Sequence, residues 1–204
     1  MDFSVGSLNV SRETYDLLNV YASLLEKWNP RINLVSKSTL DDLWSRHIVD
    51  SAQLFELAPQ DVDHWVDLGS GGGFPGMVIA ILAKELRPDM KVTLVESDQR
   101  KCAFLRTVSR ETNCNATVHS KRIEALEPQN ADILSARALA DLNMLLGFAE
   151  RHLKSSGICL FPKGLTWEKE LKTAQDSWQF SHQVNTSEIN ADSVVLRIEE
   201  IKHA

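Results

Sequence analysis

The sequence predicts an α/β protein. It should be a doubly wound, mostly parallel sheet, preceded by a helical segment and finished by an antiparallel C-terminal edge. Three observations carry this. After residue 61, short runs rich in Val, Leu and Ile alternate with segments of helical periodicity, the pattern of parallel strands joined by crossover helices. A glycine cluster, Gly69 to Gly76, lies between the first such run and the first such helix. The last two apolar runs follow one another with no helix between them, which suits a hairpin.

Residues 1–60 form the helical cap and residues 61–204 the main domain. In the cap, Leu17, Leu18, Tyr21, Leu24, Leu25 and Trp28 fall on one helical face, and Asn29-Pro30 ends that helix because proline restricts the residue before it. A second helix begins at Ser38 with Asp41 as its capping partner, and continues through Leu40, Leu43, Trp44, His47, Ile48 and Leu54. The main domain opens with a strand at 64–68. A helix over 77–86, a strand at 91–96, a helix over 98–112 and a strand near 115–119 follow. Next come a strand at 132–135, a helix over 139–153 punctuated by Gly157, a strand at 158–161 and a helix over 166–176. Strands at 180–184 and 194–201 close the chain.

A chain of 204 residues, 43% apolar and 25% charged, supports one good core or a core with a small appendage, and excludes a collagenous or largely disordered protein. No apolar run approaches the roughly 20 residues of a membrane helix, and Met1 to Gly6 lacks the basic-then-apolar order of a secretory signal. Cys102, Cys114 and Cys159 are widely spaced and odd in number, which fits buried free thiols in a reducing cytoplasm rather than a disulfide framework or zinc site. The histidines are scattered, so no metal site is expected. With 22 basic against 28 acidic residues the net charge is −6, which argues against an all-over electrostatic coat for nucleic acid. A local basic patch that binds RNA remains compatible with it.

The most informative stretch is Val66-Asp67-Leu68-Gly69-Ser70-Gly71-Gly72-Gly73-Phe74-Pro75-Gly76. Glycines between a strand and a helix let a ligand approach the backbone closely, at the carboxyl end of the first strand where open α/β sheets bind ligands. Read from Gly71, the letters fit the dinucleotide pattern G-x-G-x-x-G. Read from Asp67, they fit D-x-G-x-G-x-G, the pattern of S-adenosylmethionine enzymes. Asp67 favours the second frame, since a carboxylate there complements the cationic amino end of a methionine moiety and would repel a pyrophosphate. Pro75 also removes an N–H where a dinucleotide helix presents free donors. Glu96, ending the second strand, can accept hydrogen bonds from ribose hydroxyls under either frame.

The chain resembles the glucose-inhibited division protein B family, also called the ribosomal RNA small subunit methyltransferase G family, over nearly its whole length. The resemblance rests on Trp28-Asn29 with Ile32-Asn33-Leu34, Arg46-His47-Ile48-Val49-Asp50-Ser51, Asp67 to Gly76, Arg122-Ile123-Glu124, Ser135-Ala136-Arg137-Ala138 and Phe161-Pro162-Lys163-Gly164. It implies a Rossmann-like S-adenosylmethionine-dependent methyltransferase fold and methylation of guanine N7 in 16S ribosomal RNA near the decoding centre. S-adenosylmethionine is the implied donor, and 16S rRNA or the 30S subunit the implied partner; nothing in the sequence demands a membrane or more than a monomer. Donor contacts carry over to Gly69, Phe74, Ile123, Glu124 and Arg137, beside Gly71 and the residue-based assignments to Asp67 and Glu96.

Guanine N7 is a lone pair with no proton, so its methylation needs no general base, and the sequence shows no Ser-His-Asp-like constellation. Positioning alone can supply roughly 7–11 kcal/mol. Since N7 must stay free, a donor should address O6, and Arg137 or Lys163 is placed to do so; for Arg137, contact with the methyl donor is favoured over the base, and a purely structural salt bridge is the third reading. Phe74 is expected to pack over the adenine or in the core. For RNA, Lys27, Arg31 and Arg46, with Lys37, rank above Arg100, Lys101, Arg106 and Arg110, whose spacing suits a solvated helix face. His47 and Asp50 share a helix face and are expected to fix the cap against the sheet. Competing functions are a small-molecule or protein methyltransferase of the same fold, a non-catalytic nucleoside- or RNA-binding module, and a dinucleotide oxidoreductase.

Overall fold

The computed structural model describes residues 3–187 and 189–204. A short hairpin leads the chain, β1 (Phe3–Val5) against β2 (Leu8–Val10), an element that three-residue strands gave no periodicity to reveal. Helix α1 (Arg12–Ile32) is capped by Ser11, whose Oγ accepts the Thr14 N–H, and buries Leu18, Tyr21 and Leu25 at successive three- and four-residue steps.

Helix α1 does not end at Asn29-Pro30. Pro30 forfeits one bond, the N–H that would reach the Glu26 carbonyl, but this lies within the final turn and the helix runs on only to Ile32. Its terminator is Asn33 in the left-handed region (φ 51°), while the Asn29 side chain accepts the N–H groups of Leu34 and Val35 at 2.7 and 2.9 Å. The second helix also departs from expectation. Ser38 sits in a single 3₁₀ turn, Lys37–Thr39, and the Ser36 hydroxyl turns to Thr39 and Ser38. Continuous helix arrives as a π-helical turn, Trp44–Val49, leading into α2 (Asp50–Leu57).

The main sheet has seven strands: β3 (His64–Leu68), β4 (Lys91–Glu96), β5 (Ala116–Ser120), β6 (Ala131–Ala136), β7 (Leu153–Lys163), β8 (Trp178–Thr186) and β9 (Val194–His203). Their spatial order is β5-β4-β3-β6-β7-β9-β8. The first five are mutually parallel, and β9 lies antiparallel between β7 and β8. The chain works outward from β3 in one direction and then the other, so β3 is a switch point with a crevice beyond its carboxyl end.

Helices α3 (Gly76–Leu86) and α4 (Gln99–Thr112) cover one face of the sheet together with α1. Helices α5 (Leu142–His152) and α6 (Trp167–Gln175) cover the other. Strand alternation divides the burial: Trp65 packs into the first core, Val66 and Leu68 into the second. The N-terminal helices contribute Leu18, Tyr21, Leu25, Ile48 and Leu54 to the same core as Trp65 and Phe104.

Gly157 does not mark a helix end. Helix α5 stops at His152 and β7 begins at once. Gly157 lies within that strand, where a Cβ would come within 2.8 Å of the Ala131 carbonyl oxygen, beside a register irregularity between β6 and β7.

Candidate active site

The glycine loop turns over the ends of β3 and β4 and is stitched to β4 on both sides. Ser70 N–H donates to the Val95 carbonyl (3.0 Å), and Gly71 N–H donates to Glu96 Oε2 (2.9 Å). The other Glu96 oxygen accepts the Asp98 N–H at 2.8 Å. The carboxylate therefore shapes the loop, and each oxygen keeps lone-pair capacity for a ligand hydroxyl. Gly73 cannot be replaced without strain. Its φ is 100°, and a Cβ there would lie 2.7 Å from the Tyr21 hydroxyl and 2.8 Å from Met77 Cβ. The Tyr21 hydroxyl itself donates to the Gly72 carbonyl at 2.6 Å, so α1 holds the loop from behind.

A cleft of about 640 Å³ opens over this loop. Of the residues the sequence nominated, Gly69, Gly71, Phe74, Glu96, Ile123, Glu124 and Arg137 all line it. Asp67 does not. It is fully buried beneath the loop, and its Oδ1 accepts the Ser135 hydroxyl at 2.7 Å, while Ser135 Oγ in turn accepts the Trp65 indole N–H at 2.9 Å. Burial raises the Asp67 pKa to about 6, against hydrogen bonds that pull it down, Ser135's foremost. In this structure the carboxylate braces β3 against β6 under the cleft floor, because strand alternation turns it inward with Trp65, so the expected contact with a methionine ammonium is not what its position provides.

Lys163 also lies outside this cleft. Its Nζ donates to the Ala140 carbonyl (2.9 Å) and to Glu170 Oε2 (2.7 Å), in a neighbouring cavity. Arg137 belongs to both cavities. Its guanidinium donates to His47 Nδ1 (2.8 Å), approaches Asp50 Oδ2 and the Arg46 carbonyl at 3.5 and 3.4 Å, and lies 5.0 Å from the centre of the Phe74 ring. The π-helical turn contributes to this: the Asp50 N–H turns to the Ser45 and His47 carbonyls, and the Arg46 carbonyl faces Arg137.

Arginine only donates, so His47 Nδ1 must be an acceptor and the ring neutral, with its Nε2 proton directed at Thr39 Oγ1, 3.0 Å away. Burial and the adjacent Arg137 and Arg46 charges agree, lowering the His47 pKa to about 4. The ring also stacks on Phe74 at 4.8 Å. His47 and Asp50 thus do fix the N-terminal segment against the sheet, by clasping Arg137. Phe74 is largely buried among His47, Tyr21 and Arg137, in line with the packing role expected of it.

Two features of the cleft were not anticipated. One wall is the segment from Leu34 to Thr39, delivered there by the Asn29 and Asn33 turn. The only hint of it was Asn33-Leu34 among the resembling motifs. The other is that Lys121 and Arg122 line the cleft, together with Lys101 from the helix-face group ranked lower for RNA. Of the cations ranked higher, Lys27, Arg31 and Arg46 are exposed on or near the N-terminal helices, and Arg46 pairs with Asp42 at 3.6 Å. Arg100 and Arg110 are engaged by Asp98 and Glu111, and Arg106 donates to the Val118 carbonyl, as a solvated helix face predicts.

Comparison with known proteins places this geometry. Among solved structures of low identity the fold recurs in ribosomal protein L11 methylase of Lactobacillus delbrueckii. There the TM-score is 0.61 at 15% identity, covering 76% of this chain and 78% of that one. It recurs also in a TehB-like S-adenosylmethionine-dependent methyltransferase of Corynebacterium glutamicum, with a TM-score of 0.59 at 13% identity and coverage of 89% and 98%. Relatives named ribosomal RNA small subunit methyltransferase G are much nearer in sequence. That of Ruegeria pomeroyi is 59% identical, covering 95% of this chain and 94% of its own, and that of Rhodospirillum centenum is 53% identical, covering 96% and 88%. A model of the rRNA small subunit methyltransferase G family matches residues 14–195. The glycine loop over Glu96, the sheet's switch point and this match agree, and the chain belongs to the rRNA small subunit methyltransferase G family, with S-adenosylmethionine as its methyl donor.

Proposed function

We propose that the chain transfers the methyl group of S-adenosylmethionine to N7 of a guanine in 16S ribosomal RNA, near the decoding centre, acting on the free RNA or on the 30S particle. The observation that carries this reading is the state of His47. Among the described residues it is the one histidine lining the cleft, and both its ring nitrogens are engaged, Nδ1 by Arg137 and Nε2 by Thr39. A neutral imidazole tied at both ends is poorly placed to take a proton. A nucleophile that carries none, such as guanine N7, asks for no such step.

The cleft suits the donor. Its volume is within the range of small-molecule sites, which run about 300–1,000 Å³. Glu96 offers carboxylate lone pairs to ribose hydroxyls, Ile123 and Glu124 offer an edge for the adenine, and the backbone at Gly69 and Gly71 permits close approach. When bound, S-adenosylmethionine supplies an electrophilic methyl group on a positively charged sulfur. The chain contributes position. Arg137, held by His47 and Asp50, stands where the donor cleft meets the neighbouring cavity that contains Lys163. The deciding experiment is methyl transfer from labelled donor into 16S rRNA and 30S particles, followed by mass mapping. N7-methylguanosine at one site is expected. Label at another atom or base would overturn the assignment, and label only in small molecules would overturn the substrate class.

A further inference from the structure

The cavity beside the donor cleft, about 290 Å³, shares Arg137, Ala138 and Ala140 with it and, among the described residues, is further lined by Asp50, Lys163, Glu170 and Ser187, with the start of β9. Its size corresponds to roughly ten waters at about 30 Å³ each, room for a single purine. We propose that this cavity receives the target guanine and that Asp50 identifies it, accepting N1–H and the N2 amino group on the Watson–Crick edge while Lys163 donates to O6. This deepens the guanine-N7 reading and rests on it.

If N7 attacks, its edge cannot be held by a donor, so the base has to be recognised elsewhere. On the Watson–Crick edge guanine presents two adjacent donors, N1–H and N2–H, next to the O6 acceptor. Adenine presents one donor beside one acceptor. A carboxylate has acceptors only, in a geometry that takes two parallel donors, so it matches guanine and opposes adenine N1.

Among the described residues two carboxylates line the cavity, and their present engagements differ. Glu170 is occupied: Oε2 accepts from Lys163 Nζ at 2.7 Å and from the Leu142 N–H at 3.0 Å, and Oε1 accepts from the Thr166 hydroxyl at 2.9 Å. Among the described residues Asp50 has only long contacts, 3.5 Å to Arg137 and 3.4 Å to the Ser187 hydroxyl, at the limit of hydrogen bonding. Its charge is matched by Arg137 but its lone pairs are lightly used, and burial disfavours the ionised form that a pair of guanine donors would stabilise. Lys163 is fixed by Ala140 and Glu170, which leaves a third ammonium hydrogen for a carbonyl such as O6. Glu170 therefore aims the lysine, and Asp50 remains to read the base.

The test compares two synthetic 16S rRNA fragments that differ only at the methylated position, one with guanosine and one with inosine. Inosine keeps N7, O6 and N1–H and lacks the N2 amino group. With the wild-type protein, kcat/KM should fall roughly tenfold to a hundredfold on the inosine RNA, the size of one hydrogen bond to a charged group. Asp50→Asn should lower kcat/KM on guanosine and bring the two RNAs close to parity, and the comparison of ratios cancels any effect of inosine on RNA folding. Equal wild-type rates on the two RNAs would overturn the proposal, whether or not the variant folds. So would an Asp50→Asn protein, folded by thermal melting, that loses activity on both RNAs while keeping the wild-type ratio. Failure of wild type to place N7-methylguanosine in the guanosine RNA would instead remove the reading beneath the proposal, so the two failures are distinct.

Discussion

At the residue scale, the site depends on buried groups whose ionisation is displaced from the ordinary. His47 accepts from Arg137 only as the neutral ring, and burial with two neighbouring guanidiniums lowers its pKa to about 4. An NMR titration of the imidazole should therefore show a midpoint near 4, with no His47 inflection between about pH 6 and 8; a midpoint near the ordinary 6.5 would remove the acceptor assignment. Because the unfolded chain takes up this proton first, His47 lowers stability as pH falls from about 6.5 towards 4. Asp67 behaves in the opposite sense. Its folded pKa of about 6 lies above the 3.8 of an exposed carboxyl, so the folded state holds a proton that the unfolded state has released, and stability falls as pH rises through that window. Asp67→Asn removes this dependence. Denaturant unfolding should show the variant gaining about 2 kcal/mol on wild type between about pH 4.5 and 7, from about 1.4 kcal/mol per pH unit. A difference that does not change with pH would show that Asp67 stays ionised.

At the element scale, the glycine loop is held from two directions. Strand β4 grips it through Glu96 and Val95, and helix α1 grips it through the Tyr21 hydroxyl on Gly72. Gly73→Ala would force a side chain into positive φ and into Tyr21 and Met77 together. The expected cost is at least about 2 kcal/mol in unfolding, with a large loss of S-adenosylhomocysteine binding by calorimetry. Tyr21→Phe keeps the packing and leaves the Gly72 carbonyl without its donor. It should cost about 1–2 kcal/mol and weaken donor binding much less than Gly73→Ala. The reverse order of the two variants would mean that the phenol, not the backbone conformation, sets the loop. The irregular stretch Leu34 to Thr39 is similarly set by its ends, with Asn29 turning the chain and Thr39 receiving His47.

At the scale of the whole molecule, the sheet's switch point and the packing of the N-terminal segment create a cleft lined in part by Lys101, Lys121 and Arg122 on a chain of net charge −6. If RNA enters there, Lys101, Lys121 and Arg122 should contribute more than Lys27 and Arg31, which lie exposed on α1. Neutralising Lys121 and Arg122 should reduce the slope of log K against log salt by about 0.7 per lost contact on single-stranded RNA. An unchanged slope there, with a reduced one on neutralising Lys27 and Arg31, would return the RNA track to the N-terminal helix. Among the described residues, no helix is long and apolar enough to cross a membrane, and no cluster of ligand side chains could hold a metal ion.

From residue 64 on, the order of strands and helices, the antiparallel end, the glycine loop and its acidic neighbour were legible from the chain alone, because periodicity and glycine placement are local properties of sequence. So was the family, through motifs spread from Trp28 to Gly164. Helix ends were less legible. Pro30 and Gly157 are ordinary stop signals, and the structure overrode both, one because a single forfeited bond did not stop a turn whose end is fixed by Asn29 and Asn33, the other because the glycine serves strand packing. Only the tertiary structure decided which nominated side chains share a space. Asp67 faces inward with Trp65, Lys163 lies in the second cavity, and Arg137 joins the two, since these positions depend on which face of a strand points where and on residues about ninety apart meeting across the sheet. Contacts of that range leave no trace in local pattern; they follow from packing the whole core at once.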